Sequence, residues 1–162
     1  MDNLKNKRHG KGKDQKHHLS QVHYKDIYSR NKINRRNAQQ NIKILIVEDN
    51  FIVQCALKEM LSNLGHKADI AGDGKTALAL YNDDYCLILM DIDLPDISGL
   101  EVTQTIRSVE REKNCHVPII AMTSHSDDPE YQDKFKAAGM DGFSGKPNAA
   151  QLKALIETYA SH

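Results

Sequence analysis

Leu87-Ile88-Leu89-Met90-Asp91-Ile92-Asp93-Leu94-Pro95 decides how this chain folds. Four apolar residues follow one another without polar alternation and stop at a carboxylate. That pattern predicts a strand from Cys86 to Met90, buried on both faces as in a parallel sheet. Pro95 marks a loop directly afterwards. Open α/β sheets place their sites beyond the carboxyl ends of their strands. Asp91 stands at such an end and is a candidate nucleophile for a phosphoryl group. Taken alone, it is more ordinarily a carboxylate that caps a turn.

Working outward, the same pattern repeats. Lys43-Ile44-Leu45-Ile46-Val47 is a second buried-strand run and ends in Glu48 and Asp49. Asn50 opens a helix, with Ile52, Ala56, Leu57, Met60, Leu61 and Leu64 expected on its inner face and Gly65 as its stop. Lys67 to Ala71 reads as a short strand. Gly72-Asp73-Gly74 is a turn before a short helix from Lys75 to Tyr81. A helix from Gly99 to about Glu112 is expected to bury Leu100, Thr103, Ile106 and Val109. Pro118 to Met122 is a fourth strand, ending at Thr123. Asp128 with Pro129 starts the next helix, and Gly139 ends it. Asp141 to Ser144 is a brief strand before Gly145-Lys146-Pro147, and a last helix runs from about Asn148 to Tyr159. Five β/α pairs predict an α/β domain, with a parallel sheet covered by helices on both faces.

The 162-residue chain is long enough for one domain with a full core. Its formal net charge of zero conceals a split. Residues 1–40 carry 11 Lys/Arg against 3 Asp/Glu, about +8, and residues 41–162 carry 11 against 19, about −8. The first 40 residues are poor in apolar side chains, a composition that predicts a disordered basic extension, with residues 41–162 as the folded domain. Such an extension suits an acidic partner, and any nucleic-acid binding would run through it alone. Cysteines 55, 86 and 115 show no disulfide or zinc spacing, which favours a reducing, cytoplasmic setting. No apolar run approaches a membrane span.

The chemistry collects at the strand ends. Strand one delivers Glu48 and Asp49, strand three Asp91, strand four Thr123 and strand five Lys146. In a parallel sheet these ends share one edge. Neighbouring carboxylates repel, and a hard cation relieves the repulsion. Mg²⁺ takes about six oxygens, commonly one or two carboxylates with waters, leaving room for phosphate oxygens. Asp91 could then attack phosphorus to form an acyl phosphate. Lys146 would offset charge on the transferring oxygens, and the Thr123 hydroxyl would donate to one of them.

Glu48-Asp49-Asn50, Asp91 after an apolar strand, Leu94-Pro95-Asp96-Ile97-Ser98-Gly99, Met122-Thr123-Ser124 and Lys146-Pro147 together resemble the receiver domain of two-component response regulators. The likeness spans about Ile42 to Tyr159, and its wording is similar both to stand-alone regulators and to the receivers of hybrid sensor kinases. It implies a flavodoxin-like, doubly wound (βα)5 fold with strand order 2-1-3-4-5. It implies that Asp91 accepts phosphate from a phosphohistidine, carried by a histidine kinase or a histidine phosphotransfer protein. Glu48, Asp49 and Asp91 would hold Mg²⁺ with the main-chain carbonyl of Asp93. Thr123 and Phe143 would form the switch that remodels the surface of helix four, strand five and helix five for a downstream protein. Phe143 lacks the hydroxyl of the tyrosine common at its position, which removes a polar read-out there. Asp93 and His125 would tune the lifetime of the phosphorylated state.

Such a protein is a phosphoacceptor rather than a turnover enzyme, expected as a monomer or weak dimer. With no output domain after the last helix, a single-domain regulator is the expectation. Two alternatives compete. Asp91-Ile92-Asp93 also matches the DxD motif of haloacid-dehalogenase-type phosphatases, but that motif normally follows the first core strand and leaves Glu48 and Asp49 without a role. The other alternative is a docking module that works without phosphorylation.

Overall fold

The computed structural model describes residues 41–124 and 128–160. The expectations placed on residues 1–40 and on His125 lie outside the described residues.

Five strands form one sheet: β1 (Lys43–Val47), β2 (Lys67–Ala71), β3 (Leu87–Asp91), β4 (Ile119–Met122) and β5 (Gly142–Ser144). All pair in parallel, in the order β2-β1-β3-β4-β5. Five helices alternate with them: α1 (Phe51–Asn63), α2 (Gly74–Leu80), α3 (Gly99–Lys113), α4 (Pro129–Ala138) and α5 (Ala149–Tyr159). This is the flavodoxin-like architecture expected from the sequence.

The unbroken apolar runs follow from burial on both faces, because successive strand side chains point to opposite sides. Leu45, Val47, Ile88 and Met90 pack under Val102 and Ile106 of α3 and Phe135 of α4. Ile44, Ile46, Leu87 and Leu89 pack against Leu57 and Leu61 of α1 and Leu152 and Ile156 of α5. At about 25 cal/mol per Å², each such buried aliphatic side chain contributes roughly 2 kcal/mol.

The helix boundaries carry local signals. Asn50 caps α1 by accepting from the Ile52 and Val53 amides. Ser98 and Glu101 form a capping box at the start of α3. Asp128 caps α4 with Pro129 at its first turn, and Gly139 ends it with φ of 93°.

Two helix faces differ from the sequence expectation. On α1 the buried residues are Leu57 and Leu61, while Ile52 is 77% exposed and Ala56 is also exposed. The inner stripe runs through Val53, Leu57, Met60 and Leu61, so Ile52 and Ala56 sit about one residue, or 100°, off it. On α3 the buried positions are Val102, Thr103, Ile106 and Glu110, with Leu100 and Val109 only half-buried. A glutamate takes the place on this stripe where an apolar residue was expected.

Candidate functional site

The chain passes from β1 to β2 on one side and returns to β3 on the other, so a crevice opens beyond the ends of β1 and β3. This is the switch point where open α/β sheets bind ligands. Val47 pairs with Met90, and the next residue of each strand's path is a carboxylate. Glu48 continues the β1 ladder through its amide, which donates to the Ala71 carbonyl at 3.0 Å. Its side chain is fully buried. Asp91 closes β3 opposite Met122 and is buried, whereas Asp49 is exposed. Thr123 follows β4, is buried, and its amide donates to Ser144 in β5 at 3.0 Å.

One ammonium ties these ends together. Lys146 Nζ donates to Oε1 and Oε2 of Glu48 at 2.8 and 2.7 Å, and to Oδ2 of Asp91 at 3.3 Å. Burial pushes the Glu48 carboxyl above its ordinary value, with Asp91 adding to the push; the Lys146 ammonium and the Asn50 amide offset only part of it. Burial alone would lower the Lys146 ammonium, but Glu48 and Asp91 outweigh it and hold its pKa above the ordinary lysine value. Oxygens of Glu48, Asp49 and Asp91 lie within 4.8 Å of one another. The donor set is all oxygen and anionic, which suits a hard cation such as Mg²⁺ and not a soft one. With both Glu48 oxygens engaged by Lys146, Asp49 and Asp91 are the carboxylates best placed to hold it.

The loop after Asp91 is fixed by short contacts. The Asp93 amide donates to Asp91 Oδ1 at 3.2 Å, and the Gly99 amide donates to the Ile92 carbonyl at 3.0 Å. A Cβ at Gly99 would collide with the Asp91 carbonyl oxygen, so only glycine permits the loop to close this tightly. Around these groups lies a cleft of about 440 Å³, lined by Glu48, Asp49, Asp91, Asp93, Thr123 and Lys146. The structure therefore brings together all the residues expected at the strand ends. Phe143 is set apart from them. It sits on β5, half-buried, with its ring 6.1 Å from that of Phe135 in α4.

Sequence reading missed a second polar cluster at the opposite end of the sheet. Arg107 donates to Glu110 at 2.5 Å, to Asp141 at 2.6 Å, and to the carbonyls of Gly139 and Val117 at 2.8 and 3.0 Å. Glu110 also accepts from the Val117 amide at 2.7 Å and the Tyr81 hydroxyl at 3.2 Å. His116 Nε2 lies 2.7 Å from Asp141. A wider groove of about 720 Å³ opens beside this cluster, but each Arg107 contact is to the protein itself, which marks the cluster as a structural clamp. Its one sequence signal is Glu110, a charged residue four positions after Ile106 on the buried stripe of α3.

Comparison with known proteins assigns the chain to a family. The family model described as "Response regulator receiver domain" matches residues 44–157. The chain is 40% identical over 123 residues to "Hybrid signal transduction histidine kinase I" of Dictyostelium discoideum, an alignment covering 72% of this chain and 7% of that protein. It is 36% identical over 132 residues to "Peroxide stress-activated histidine kinase mak3" of Schizosaccharomyces pombe, covering 77% of this chain and 6% of that one. The chain thus spans only a small part of the curated relatives it matches. Among solved structures, the receiver domain of a Pseudomonas aeruginosa PAO1 sensor histidine kinase, with magnesium in its active-site cleft, superposes with a TM-score of 0.66 at 31% identity. That match covers 75% of this chain and 99% of that one. The receiver domain of the Saccharomyces cerevisiae response regulator Ssk1, bound to the histidine phosphotransfer protein Ypd1, gives a TM-score of 0.68 at 28% identity, covering 75% and 90%.

Proposed function

The chain belongs to the response regulator receiver domain family, and on that premise we propose that Asp91 accepts a phosphoryl group from a phosphohistidine, within a module spanning residues 41–162. The observation that carries this reading is the convergence of Asp91, Glu48 and Asp49 on one cleft whose only lysine, among the described residues, is Lys146. A carboxylate oxygen of Asp91 attacks phosphorus, the P–N bond breaks, and the imidazole of the donor leaves with the bonding pair. Lys146 meets the charge that develops on the transferring oxygens. A magnesium ion held by Asp49 and Asp91, with Glu48 and the Asp93 carbonyl nearby, would supply further charge neutralisation. Thr123 lies at the cleft wall, where its hydroxyl would meet a phosphoryl oxygen.

The product adds about −1.5 to −2 charge at Asp91. Thr123 shifts toward that charge, and Phe143 follows by leaving its contact with Phe135. That movement changes the face of α4, β5 and α5 read by a downstream protein. Asp93, at the cleft rim, and His125 adjust how fast water removes the phosphoryl group.

The phosphohistidine donor is a histidine kinase or a histidine phosphotransfer protein. To reach Asp91 it must cover the rim of the cleft. Phe51 and Ile52 follow directly on Asp49 and Asn50, which line that cleft, and are the exposed large hydrophobics of the described residues, at 73% and 77%. They offer the donor an apolar seat that the core does not use. Among the described residues no helix is long and apolar enough to cross a membrane.

Incubation with acetyl phosphate and Mg²⁺ should label the protein stoichiometrically, and Asp91→Asn should abolish the label. An unlabelled parent protein would overturn the reading and leave a docking module in its place. Sustained turnover of a phosphomonoester would point to a phosphatase.

A further inference from the structure

Asp96 has no role in the chemistry described so far, yet its carboxylate bridges two segments. Its Oδ1 accepts from the Gly74 amide at 2.8 Å and its Oδ2 from the Lys75 amide at 2.9 Å. Both donors begin α2, 22 and 21 residues away in sequence. Asp96 is not the cap of that helix: Asp73 is, accepting from the Thr76 amide at 2.6 Å. The two carboxylates therefore do different things at one helix start. Asp73 satisfies its own helix, and Asp96 reaches in from the loop that follows the phosphoacceptor.

The contact is close on the backbone side as well. A Cβ on Gly74 would collide with the Ile97 side chain and come within 2.8 Å of Val102. Gly74 thus lets the α2 start lie directly on the 96–97 segment. Desolvation pushes the Asp96 carboxyl up, but the Ile97, Gly74 and Lys75 amides outweigh it and hold its pKa below the ordinary carboxylate value. The loop from Ile92 to Gly99 is consequently held at three points. Its base closes through Gly99 and Ile92, its end through the Ser98–Glu101 capping box, and its middle through Asp96.

Between Asp91 and the Asp96 anchor lie four residues, and one of them, Asp93, donates its amide to Asp91 Oδ1 at 3.2 Å. Resting on the receiver reading above, we propose that Asp96 is a positioning residue. By tying the loop to the first amides of α2 it fixes the Asp93 backbone against Asp91, and so sets the cation and phosphoryl pocket. Without the tie, the loop would sample positions in which the Asp93 backbone leaves Asp91. Mg²⁺ affinity and the phosphorylation rate would both fall, although Asp96 touches neither group.

The test uses the full chain and three variants, Asp96→Ala, Asp96→Asn and Asp73→Ala. Mg²⁺ affinity is measured by calorimetric titration, labelling rate with acetyl phosphate, and amide hydrogen exchange at Gly74, Lys75 and Asp93 by NMR. Asp96→Ala should weaken Mg²⁺ binding about tenfold, the scale of lost outer-sphere support, and speed exchange at all three amides. Asp96→Asn keeps one acceptor oxygen and should lie between. Asp73→Ala removes the helix cap alone and should leave Mg²⁺ affinity unchanged. Equal Mg²⁺ affinity in parent and Asp96→Ala overturns the proposal, as does an Asp73→Ala loss matching that of Asp96→Ala, which would reduce Asp96 to a helix stabiliser. A parent that binds no Mg²⁺ and takes no label overturns the receiver reading itself, a result recognisable before any variant is made.

Discussion

Lys146 grips Glu48 more closely than it grips Asp91: both Glu48 oxygens lie within 2.8 Å of its ammonium, against 3.3 Å for Asp91. The lysine is thus the counter-charge of a fully buried glutamate, and in the proposed function it would also meet the charge of the phosphoryl group. Lys146→Ala should cost about 1–3 kcal/mol in urea unfolding, less than a fully buried pair because the lysine side chain is 42% exposed. Adding Glu48→Gln should restore most of that loss, since it removes the stranded charge. A Lys146→Ala protein as stable as the parent would show that water already compensates Glu48.

Phe51 and Ile52 test the donor-docking rim. Because both are exposed, Phe51→Ser and Ile52→Ser should change stability by no more than about 0.5 kcal/mol. Transfer from a phosphohistidine donor protein should slow about tenfold, as expected for loss of an apolar anchor. Labelling by acetyl phosphate, which needs no docking surface, should be unchanged. Equal losses with both donors would place these residues in the pocket rather than on its rim.

Arg107 anchors the far end of the sheet. Its side chain is 13% exposed and that of Glu110 is 3% exposed, so Arg107→Ala strands a buried carboxylate. The expected loss is about 3 kcal/mol by denaturant titration. Below the lowered unfolding temperature, the Asp91 labelling rate should match that of the parent, because the cluster and the cleft lie at opposite strand ends.

Asp69 supplies an acid-sensitive contact on β2. It accepts from the Tyr85 hydroxyl at 2.7 Å and pairs with Lys43 at 3.0 Å. The Tyr85 hydrogen bond, then Lys43, holds its carboxyl below the ordinary value of 3.8. Between that value and the lower folded one, the unfolded chain binds more protons, so stability rises with pH there. The contribution is complete above the ordinary value and is lost as pH falls through the folded one. Acid unfolding of Asp69→Asn should therefore be less steep in this window than that of the parent. Parallel curves would show that the contact is too solvated to matter.

The fold was legible because its signals are local. Runs such as Ile44–Val47 and Leu87–Met90 admit only two-sided burial, and Asn50, Asp128, Pro129 and Gly139 mark helix ends within one turn. The strand-end residues were legible for the same reason: a parallel sheet gathers the residues after each strand at one edge. The outer face of α1 was not, since Ile52 and Leu57 are equally apolar and differ only in which side meets the sheet. Nor was the Arg107 cluster, whose partners Val117, Gly139 and Asp141 come from three later segments.

By itself, then, the sequence determined the five β/α units, their parallel sheet and the identities of Glu48, Asp49, Asp91, Thr123 and Lys146. Periodicity and capping are read within a few residues, and strand direction carries those side chains to one edge. Only the tertiary structure decided which charges touch. It gave Lys146 to Glu48 ahead of Asp91 and Asp96 to the first amides of α2, and it left Phe51 and Ile52 exposed. Each of those choices depends on the packing distance between elements far apart in the chain, which no local pattern encodes.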